Sequence, residues 1–268
     1  MSTLYSEKVS APEQELDESE PEEIPGTYVT FALIVINIAV FIAVACAGAS
    51  PISHTGHPFA SWAANFSPLR IEGQWWLLLA ACFLHFGIVS LAFSMFILFE
   101  VGVFAERLLG SSRFLLLYLL SGVGGNIAGL YFHHDSVNAG ASGAIFGIYA
   151  GLLAFRFVQP GDFPKAEARG LAKYAVIFII YNLVFGLTRP VTDFAAHIGG
   201  LVTGFVCGCF LAAPLSPEGL GPRLLHIGRI AVVAVGGTAL AIVAVEKLPK
   251  GALGGPSQTV HLLSSKAK

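Results

Sequence analysis

Residues 196–211 read AHIGGLVTGFVCGCFL, an apolar stretch in which glycine recurs every four residues, at Gly200, Gly204 and Gly208. This spacing places the glycines on one face of an α-helix, where a second helix can approach to backbone distance. Residues 140–155, GASGAIFGIYAGLLAF, contain a matching stripe that comprises Gly143, Gly147 and Gly151. The two stripes predict a pair of closely packed helices in apolar surroundings.

The composition of the chain is typical of a membrane protein. Hydrophobic residues make up 55% of the 268 residues and charged residues only 12%, whereas about a quarter of the residues of a soluble domain are charged. The charged residues fall mainly in the two tails and in the connections between apolar segments. This segregation leaves no basic face for nucleic acid, and we expect a lipid bilayer to surround most of the chain.

The apolar segments are candidate membrane spans, since a helix needs about 20 residues to cross the hydrocarbon layer. They are Tyr28–Ala47, His85–Ala105, Phe114–Phe132, Ser142–Phe155, Leu171–Leu187, Ala196–Leu215 and Ile227–Val245. The fourth is short and rich in glycine, so we expect neighbouring helices to shield it from lipid. The pattern predicts an all-α polytopic membrane protein.

Lysine and arginine predict the orientation, because basic connections are retained on the cytoplasmic side. With a cytoplasmic N-terminus, the outer connections contain only Arg70 and Arg189. The inner connections then contain Arg107, Arg113, Arg156, Lys165, Arg169, Lys173, Arg223 and Arg229. Lysines beyond the seventh segment favour the opposite orientation, but the bias of the short connections predicts a cytoplasmic N-terminus.

This topology places Ser142 and His197 near the outer end of two parallel helices. A serine hydroxyl is a weak nucleophile at neutral pH and needs a base within hydrogen-bond reach, a task suited to histidine. Glycines beside a serine at a helix start leave backbone N–H groups free to face negative charge. Small residues in membrane helices serve mostly for packing, but a glycine stripe beginning beside each residue predicts that Ser142 and His197 come into contact.

Several motifs together resemble the rhomboid family of intramembrane serine proteases. They are GASGAIFG (140–147), AHIGGLVTG (196–204), GQWW (73–76) and FLHFG (83–87), and the similarity extends from about Thr30 to Gly208. The resemblance implies that Ser142 is the nucleophile, that His197 is the general base and that Phe146 packs against its imidazole. It also implies a six-helix core, with the seventh segment as an additional C-terminal transmembrane helix.

The chain departs from the family pattern around the expected oxyanion site. Ser90 and Ser94 stand where the family has a histidine and an asparagine, Leu77 replaces an arginine, and Phe194 stands where asparagine is common. A serine hydroxyl is shorter but still donates a hydrogen bond. We therefore expect Ser90, Ser94 and the backbone N–H of Ser142 to serve as oxyanion donors. Loss of one such donor lowers the catalytic rate by a factor of about 10²–10³, whereas loss of the nucleophile or the base lowers it by a factor of about 10⁶.

The resemblance implies an endopeptidase that cleaves single-span membrane protein substrates near the outer membrane face, with no metal or organic cofactor. An alternative, motivated by Ser90 and Ser94, is a catalytically weak or inactive rhomboid-like protein that binds membrane helices. We expect a multi-pass protein of a bacterial-type plasma membrane, and the sequence favours no particular oligomeric state.

The predicted domains are an acidic, disordered tail (1–27), the core (28–215), a linker with the extra helix (216–246) and a C-terminal tail (247–268). The connection from Gly48 to Leu84 is rich in aromatic residues and is interpreted as an interfacial anchor or a substrate-facing element. Polar residues in the apolar segments, interpreted as inter-helix hydrogen-bonding partners, are Glu100, Asn126 and Asn182. His85 is predicted to tie the long connection to the second segment.

Overall fold

A computed structural model describes residues 26–47, 76–85, 87–132, 140–161, 163–188 and 194–212, with a few positions between 228 and 243. Every regular element in these ranges is a helix. The helices are α1 (Tyr28–Cys46), α2 (Trp76–Ala81), α3 (Ile88–Leu109), α4 (Ser111–Phe132), α5 (Ser142–Val158), α6 (Lys165–Thr188) and α7 (Phe194–Leu211). The prediction of an all-α protein is confirmed.

Four of these helices, α1, α3, α4 and α7, are long and apolar enough to cross a membrane, and α5 is a shorter apolar helix. Residues 1–25 of the predicted N-terminal tail and the whole predicted C-terminal tail lie outside the described residues, as does most of the predicted seventh segment. Of the long connection from Gly48 to Leu84, the structure describes only the part from Trp76 onward, which contains α2.

The helix bounds differ from the predicted segments where glycine interrupts the chain. The second segment was predicted to run from His85 to Ala105, but α3 begins at Ile88 and ends at Leu109. Gly87 precedes the helix at φ 101° and Gly110 follows it at φ 81°, a backbone region that residues with a side chain rarely adopt. Hydropathy reports the apolar length of a segment but not the residue at which the backbone turns.

The glycine stripes bring α5 and α7 into backbone contact. A Cβ atom added to Gly200 would collide with the carbonyl oxygen of Gly143, and one added to Gly204 with the backbone of Gly147. At the other end, a Cβ atom on Gly208 would lie 2.6 Å from the Cα of Gly151. The predicted contact between the stripes is therefore confirmed, and the matching order of the pairs makes α5 and α7 parallel.

Helix α4 packs on the same pair through small residues of its own. A Cβ atom on Gly125 would lie 2.7 Å from the carbonyl oxygen of Ala196. One on Gly199 would collide with Ala128 and the carbonyl oxygen of Gly124. The three helices α4, α5 and α7 therefore form the tightest part of the bundle, because dispersion contacts between close backbones stabilise helix pairs in lipid.

The first turn of α1 is held by Glu106, a fully buried carboxylate near the end of α3. It accepts hydrogen bonds from the backbone N–H groups of Val29 (2.9 Å) and Thr30 (2.7 Å), and from the hydroxyls of Thr30 and Ser111 (both 2.7 Å). N–H groups in a first helical turn have no partner within their helix, and the positive end of the helix dipole favours an anion there. Glu106 thereby ties α1 to α3 and α4.

Helix α6 contacts its neighbours largely through aromatic rings. Phe93 of α3 stacks on Tyr181 with ring centroids 3.8 Å apart, and Phe96 meets Tyr174 edge-on at 5.8 Å. Phe178 lies 4.8 Å from Phe146 of α5. The opposite face of α6 exposes Val176, Ile179, Ile180, Leu183 and Val184, as expected for a helix side that faces lipid.

Candidate active site

Ser142 is the first residue of α5, and the chain reaches it through a turn that requires glycine. Gly140 has φ 130°, and its N–H donates a hydrogen bond to the carbonyl oxygen of Ala81 (2.9 Å), at the end of α2. Ser142 itself is partly exposed. Helix α2 and the glycine turn therefore fix the point at which α5 begins and leave the serine accessible.

His197 lies in the first turn of α7, and its Nε2 atom is 3.1 Å from the Oγ atom of Ser142. Only 8% of His197 is exposed. The packing of Gly200 against Gly143 sets this distance. Gly143 comes one residue after Ser142 on α5, and Gly200 comes three residues after His197 on α7, so the contact between the glycines brings the two side chains together. The predicted contact between Ser142 and His197 is present, with the geometry of a hydrogen bond between hydroxyl and imidazole.

Two aromatic rings enclose the imidazole of His197. The ring of Phe146, one helical turn after Ser142, lies 4.6 Å from it at an interplanar angle of 41°. Phe194 meets it edge-on at 6.2 Å. Contact with these two rings restricts rotation of the imidazole, so that Nε2 stays directed at the serine. The ring contact predicted for Phe146 is observed.

The start of α5 also supplies backbone donors. The first hydrogen bond of this helix is donated by Ile145 to the carbonyl oxygen of Ala141 (2.9 Å). The N–H groups of Ser142, Gly143 and Ala144 therefore lie outside the helical ladder, as in any first turn. Beside a nucleophilic oxygen, such donors can stabilise the negative charge that develops when a carbonyl is attacked.

Ser90 and Ser94 occupy the first turns of α3, four residues apart on one helix face. Ser94 is 4% exposed and Ser90 is partly buried. Within the described ranges, no hydrogen bond joins either hydroxyl to Ser142 or His197. Their predicted role as oxyanion donors stays a prediction. Leu77 replaces the family's arginine, and its side chain is not among those that the structure describes.

No sequence pattern indicates which hydrogen bonds fix the segment from α2 to His85 against α4. Asn126 of α4 donates hydrogen bonds to the carbonyl oxygen of Leu78 (2.7 Å) and to the Sγ atom of Cys82 (3.3 Å). Asn126 was therefore correctly predicted as a hydrogen-bonding partner between helices. The same prediction for Asn182 is wrong, because Asn182 donates within its own helix, to the carbonyl oxygen of Phe178. A backbone acceptor such as Leu78 leaves no signal in the sequence.

His85 is 2% exposed, and neither ring nitrogen has a hydrogen-bond partner in the part of the chain that the structure describes. Burial agrees with a structural role, but no bond shows the predicted tie to α3. Among the described residues, no three histidine, cysteine or acidic side chains lie close enough to hold a metal ion.

The fold and the site together define an all-helical integral membrane protein with a serine and a histidine in contact near the start of two parallel, glycine-packed helices. Residues 72–214 match the Rhomboid domain family. The chain is 36% identical to rhomboid protease GluP of Bacillus subtilis (strain 168) over 207 residues, which is 77% of this chain and 39% of GluP. This chain belongs to the rhomboid family.

Other relatives come from plants and bacteria. RHOMBOID-like protein 2 of Arabidopsis thaliana is 33% identical over 226 residues, covering 73% of this chain and 70% of that protein. Rhomboid protease AarA of Providencia stuartii is 31% identical over 198 residues, covering 65% of this chain and 69% of AarA. The alignment spans about two fifths of the length of GluP but about two thirds of the other two proteins.

Proposed function

We propose that this chain is an intramembrane serine endopeptidase that cleaves single-span membrane proteins near the outer membrane face. The observation that carries the proposal is the 3.1 Å contact between Ser142 Oγ and His197 Nε2 beneath the ring of Phe146. Two relatives, GluP and AarA, bear the name rhomboid protease, which supports peptidase activity for a chain with this pair.

In the proposed reaction, His197 Nε2 accepts the hydroxyl proton while Ser142 Oγ bonds to the carbonyl carbon of the scissile peptide. The carbonyl oxygen becomes an oxyanion, which the backbone N–H of Ser142 stabilises together with the hydroxyls of Ser90 and Ser94. The imidazolium then gives its proton to the leaving amine as the C–N bond breaks, which leaves an ester on Ser142. Water, deprotonated by His197, hydrolyses the ester and restores both residues.

Labelling with a fluorophosphonate probe tests the proposal, because such probes react with a serine only where a base activates it. We expect purified protein to be labelled at Ser142 and to cut a transmembrane test substrate. Labelling and cleavage should both be lost in Ser142→Ala and in His197→Ala. The cleavage rate should fall by a factor of about 10⁶ in each variant. Ser112→Ala removes an exposed serine at the start of α4 and should change neither. An unlabelled Ser142 together with an uncut substrate contradicts the proposal.

A second candidate function is binding of membrane helices without cleavage. It is favoured by Ser90 and Ser94, which stand where the family has a histidine and an asparagine, and by relatives named RHOMBOID-like rather than protease. Under this function, the chain would bind the test substrate with an affinity unchanged in Ser142→Ala and would leave it intact.

We also propose that the N-terminus is cytoplasmic and that the protein resides in a bacterial-type plasma membrane. The arginine and lysine bias of the short connections supports the orientation. With that orientation, the starts of α5 and α7, and hence Ser142 and His197, face the outer side.

A further inference from the structure

Asn126 is a buried amide of α4 that reaches across to α2. Its Nδ2 atom donates to the carbonyl oxygen of Leu78 at 2.7 Å and to the Sγ atom of Cys82 at 3.3 Å. The thiol of Cys82 donates to the same carbonyl oxygen at 3.4 Å. Helix α2 has only six residues, and isolated helices shorter than about 12 residues are marginally stable. Bonds from α4 therefore help to decide where the end of α2 lies.

The end of α2 is also the point to which the turn before Ser142 is attached. The N–H of Gly140 donates to the carbonyl oxygen of Ala81 at 2.9 Å. Ala81 directly precedes Cys82 in the chain, so Asn126 holds the residue next to this acceptor. Ser142 follows Gly140 by two residues. A shift of the end of α2 would therefore move the start of α5.

Cys82 and the first turn of α5 lie against the same glycine of α4. A Cβ atom added to Gly122 would lie 2.6 Å from the Sγ atom of Cys82 and 3.4 Å from the Cβ atom of Ala144. Gly122 comes four residues before Asn126, so both lie on one face of α4. This face of α4 thus contacts α2 and α5 where the two are joined by the Gly140 bond.

The distance between Ser142 and His197 leaves little room for such a shift. The Oγ and Nε2 atoms are 3.1 Å apart, close to the upper limit for a hydrogen bond of this kind. A displacement of about 1 Å at the nucleophile would break the bond, and misplacement of that size costs about 10² in rate. The glycine contacts with α7 hold the body of α5, whereas Ser142 is its first residue and follows the turn that α2 holds.

We propose that Asn126 is a positioning residue for Ser142. It fixes the end of α2 through Leu78 and Cys82, and α2 fixes the turn at Gly140 from which the nucleophile projects. Asn126 acts through these groups and touches neither substrate nor the reacting atoms. The inference rests on the proposed function for the role of Ser142 as nucleophile.

The main test is Asn126→Leu in the full chain, reconstituted in lipid nanodiscs. Titration with a fluorophosphonate probe counts the competent sites, and cleavage of a transmembrane test substrate gives kcat per competent site. We expect this kcat to fall by about 10- to 100-fold, with KM within about twofold of the parent value, because only the placement of Ser142 changes. A merely structural role would lower the number of competent sites and leave kcat per site unchanged.

Asn182→Leu is the matched control, because it makes the same substitution at a buried asparagine whose amide donates within its own helix. Its kcat per competent site should stay within about twofold of the parent value, the same margin as for KM above. An unchanged kcat per site in Asn126→Leu, or an equal fall in Asn182→Leu, would overturn the inference.

Variants of Cys82 test the route from Asn126 to α2. Cys82→Ser keeps an acceptor for Asn126 and a donor for the carbonyl oxygen of Leu78, so kcat per site should be close to that of the parent chain. Cys82→Ala removes both groups and should lower it. Because the two residues act on one route, Asn126→Leu combined with Cys82→Ala should be little slower than Asn126→Leu alone. Losses that multiply in the double variant would contradict this route.

Amide hydrogen exchange supplies an arm that does not depend on activity. In a peptide that contains Gly140, exchange should be about 3- to 10-fold faster in Asn126→Leu, the range that one hydrogen bond contributes, and unchanged in Asn182→Leu. If the parent chain is neither labelled nor active, the peptidase function fails, and exchange alone decides whether Asn126 holds this turn. If the parent chain is active but exchange at Gly140 is the same in Asn126→Leu, the peptidase function stands and the inference fails.

Discussion

The chemistry at Ser142 depends on the number of donors that reach the oxyanion. Ser90 and Ser94 carry short hydroxyl groups on α3, and Ser94 is buried. Because removing one donor costs about 10²–10³ in rate, a chain with poorly placed donors can keep an intact Ser142–His197 pair and still act slowly. The rate of the proposed peptidase should therefore respond to longer side chains at these two positions.

We predict that Ser90→His combined with Ser94→Asn raises kcat by at least about tenfold, since each new side chain reaches further and donates a hydrogen bond. Initial rates of cleavage of a transmembrane test substrate measure the effect, with the two single variants as controls. The double variant in a Ser142→Ala background should stay inactive. A folded double variant with an unchanged kcat would contradict this prediction, and one that shows no cleavage, like its parent chain, would favour the helix-binding function.

The buried carboxylate of Glu106 accepts four hydrogen bonds. Glu106→Ala would leave the N–H groups of Val29 and Thr30 and two hydroxyls without their acceptor, so we expect it to lower the free energy of unfolding by about 2–3 kcal/mol. Glu106→Gln keeps one carbonyl acceptor and should lose less. Equilibrium unfolding in mixed micelles measures both values. If Glu106→Ala is as stable as the parent chain, these hydrogen bonds make no net contribution to the free energy of unfolding.

At the scale of helices, the α5–α7 contact depends on the absence of side chains along its centre. Gly204→Ala would push a methyl group into the backbone of Gly147, and we expect a loss of about 1–3 kcal/mol in unfolding free energy, as for other overpacked sites. The same loss should weaken fluorophosphonate labelling, because the Ser142–His197 distance is set by this contact.

Gly170→Ala is the matched control for that substitution. Gly170 lies in α6 with nothing within 4 Å of an added Cβ atom, so alanine there should stabilise the helix by up to about 1 kcal/mol. Thermal unfolding of both variants in the same detergent distinguishes a packing effect from a general effect of adding methyl groups. Similar shifts in the two variants would contradict the packing argument.

The elements differ in how far the sequence could predict them. Glycine spacing predicted the contact between α5 and α7, and with it the approach of Ser142 to His197, because both residues lie on continuous helices. The hydrogen bonds that Glu106 accepts from Thr30 join residues 76 positions apart, and one of them is donated by a backbone N–H, which leaves no pattern in the sequence. Helix α2 lies inside a segment predicted as a connection, because its six residues are too few for a periodic signal.

For the whole molecule, the side of the membrane on which Ser142 lies decides which substrates it meets. Helix α4 has 22 residues, a length of about 33 Å, which is enough to place its ends on opposite sides of a hydrocarbon layer about 30 Å thick. Arg107 and Arg113 flank its start, and the chain that follows its end leads to Ser142. Basic residues at one end of a span are retained in the cytoplasm.

We therefore predict that cysteines at the two ends of α4 react with an impermeant maleimide from opposite sides. In a chain whose four native cysteines are replaced, Ser112→Cys should react only in inverted membrane vesicles, and Ser136→Cys, which lies between α4 and α5, only in intact cells. The reason is the retention of Arg107 and Arg113 on the cytoplasmic side. The reverse pattern would place Ser142 and His197 at the cytoplasmic face, and the proposed substrates would then be cut at their inner ends.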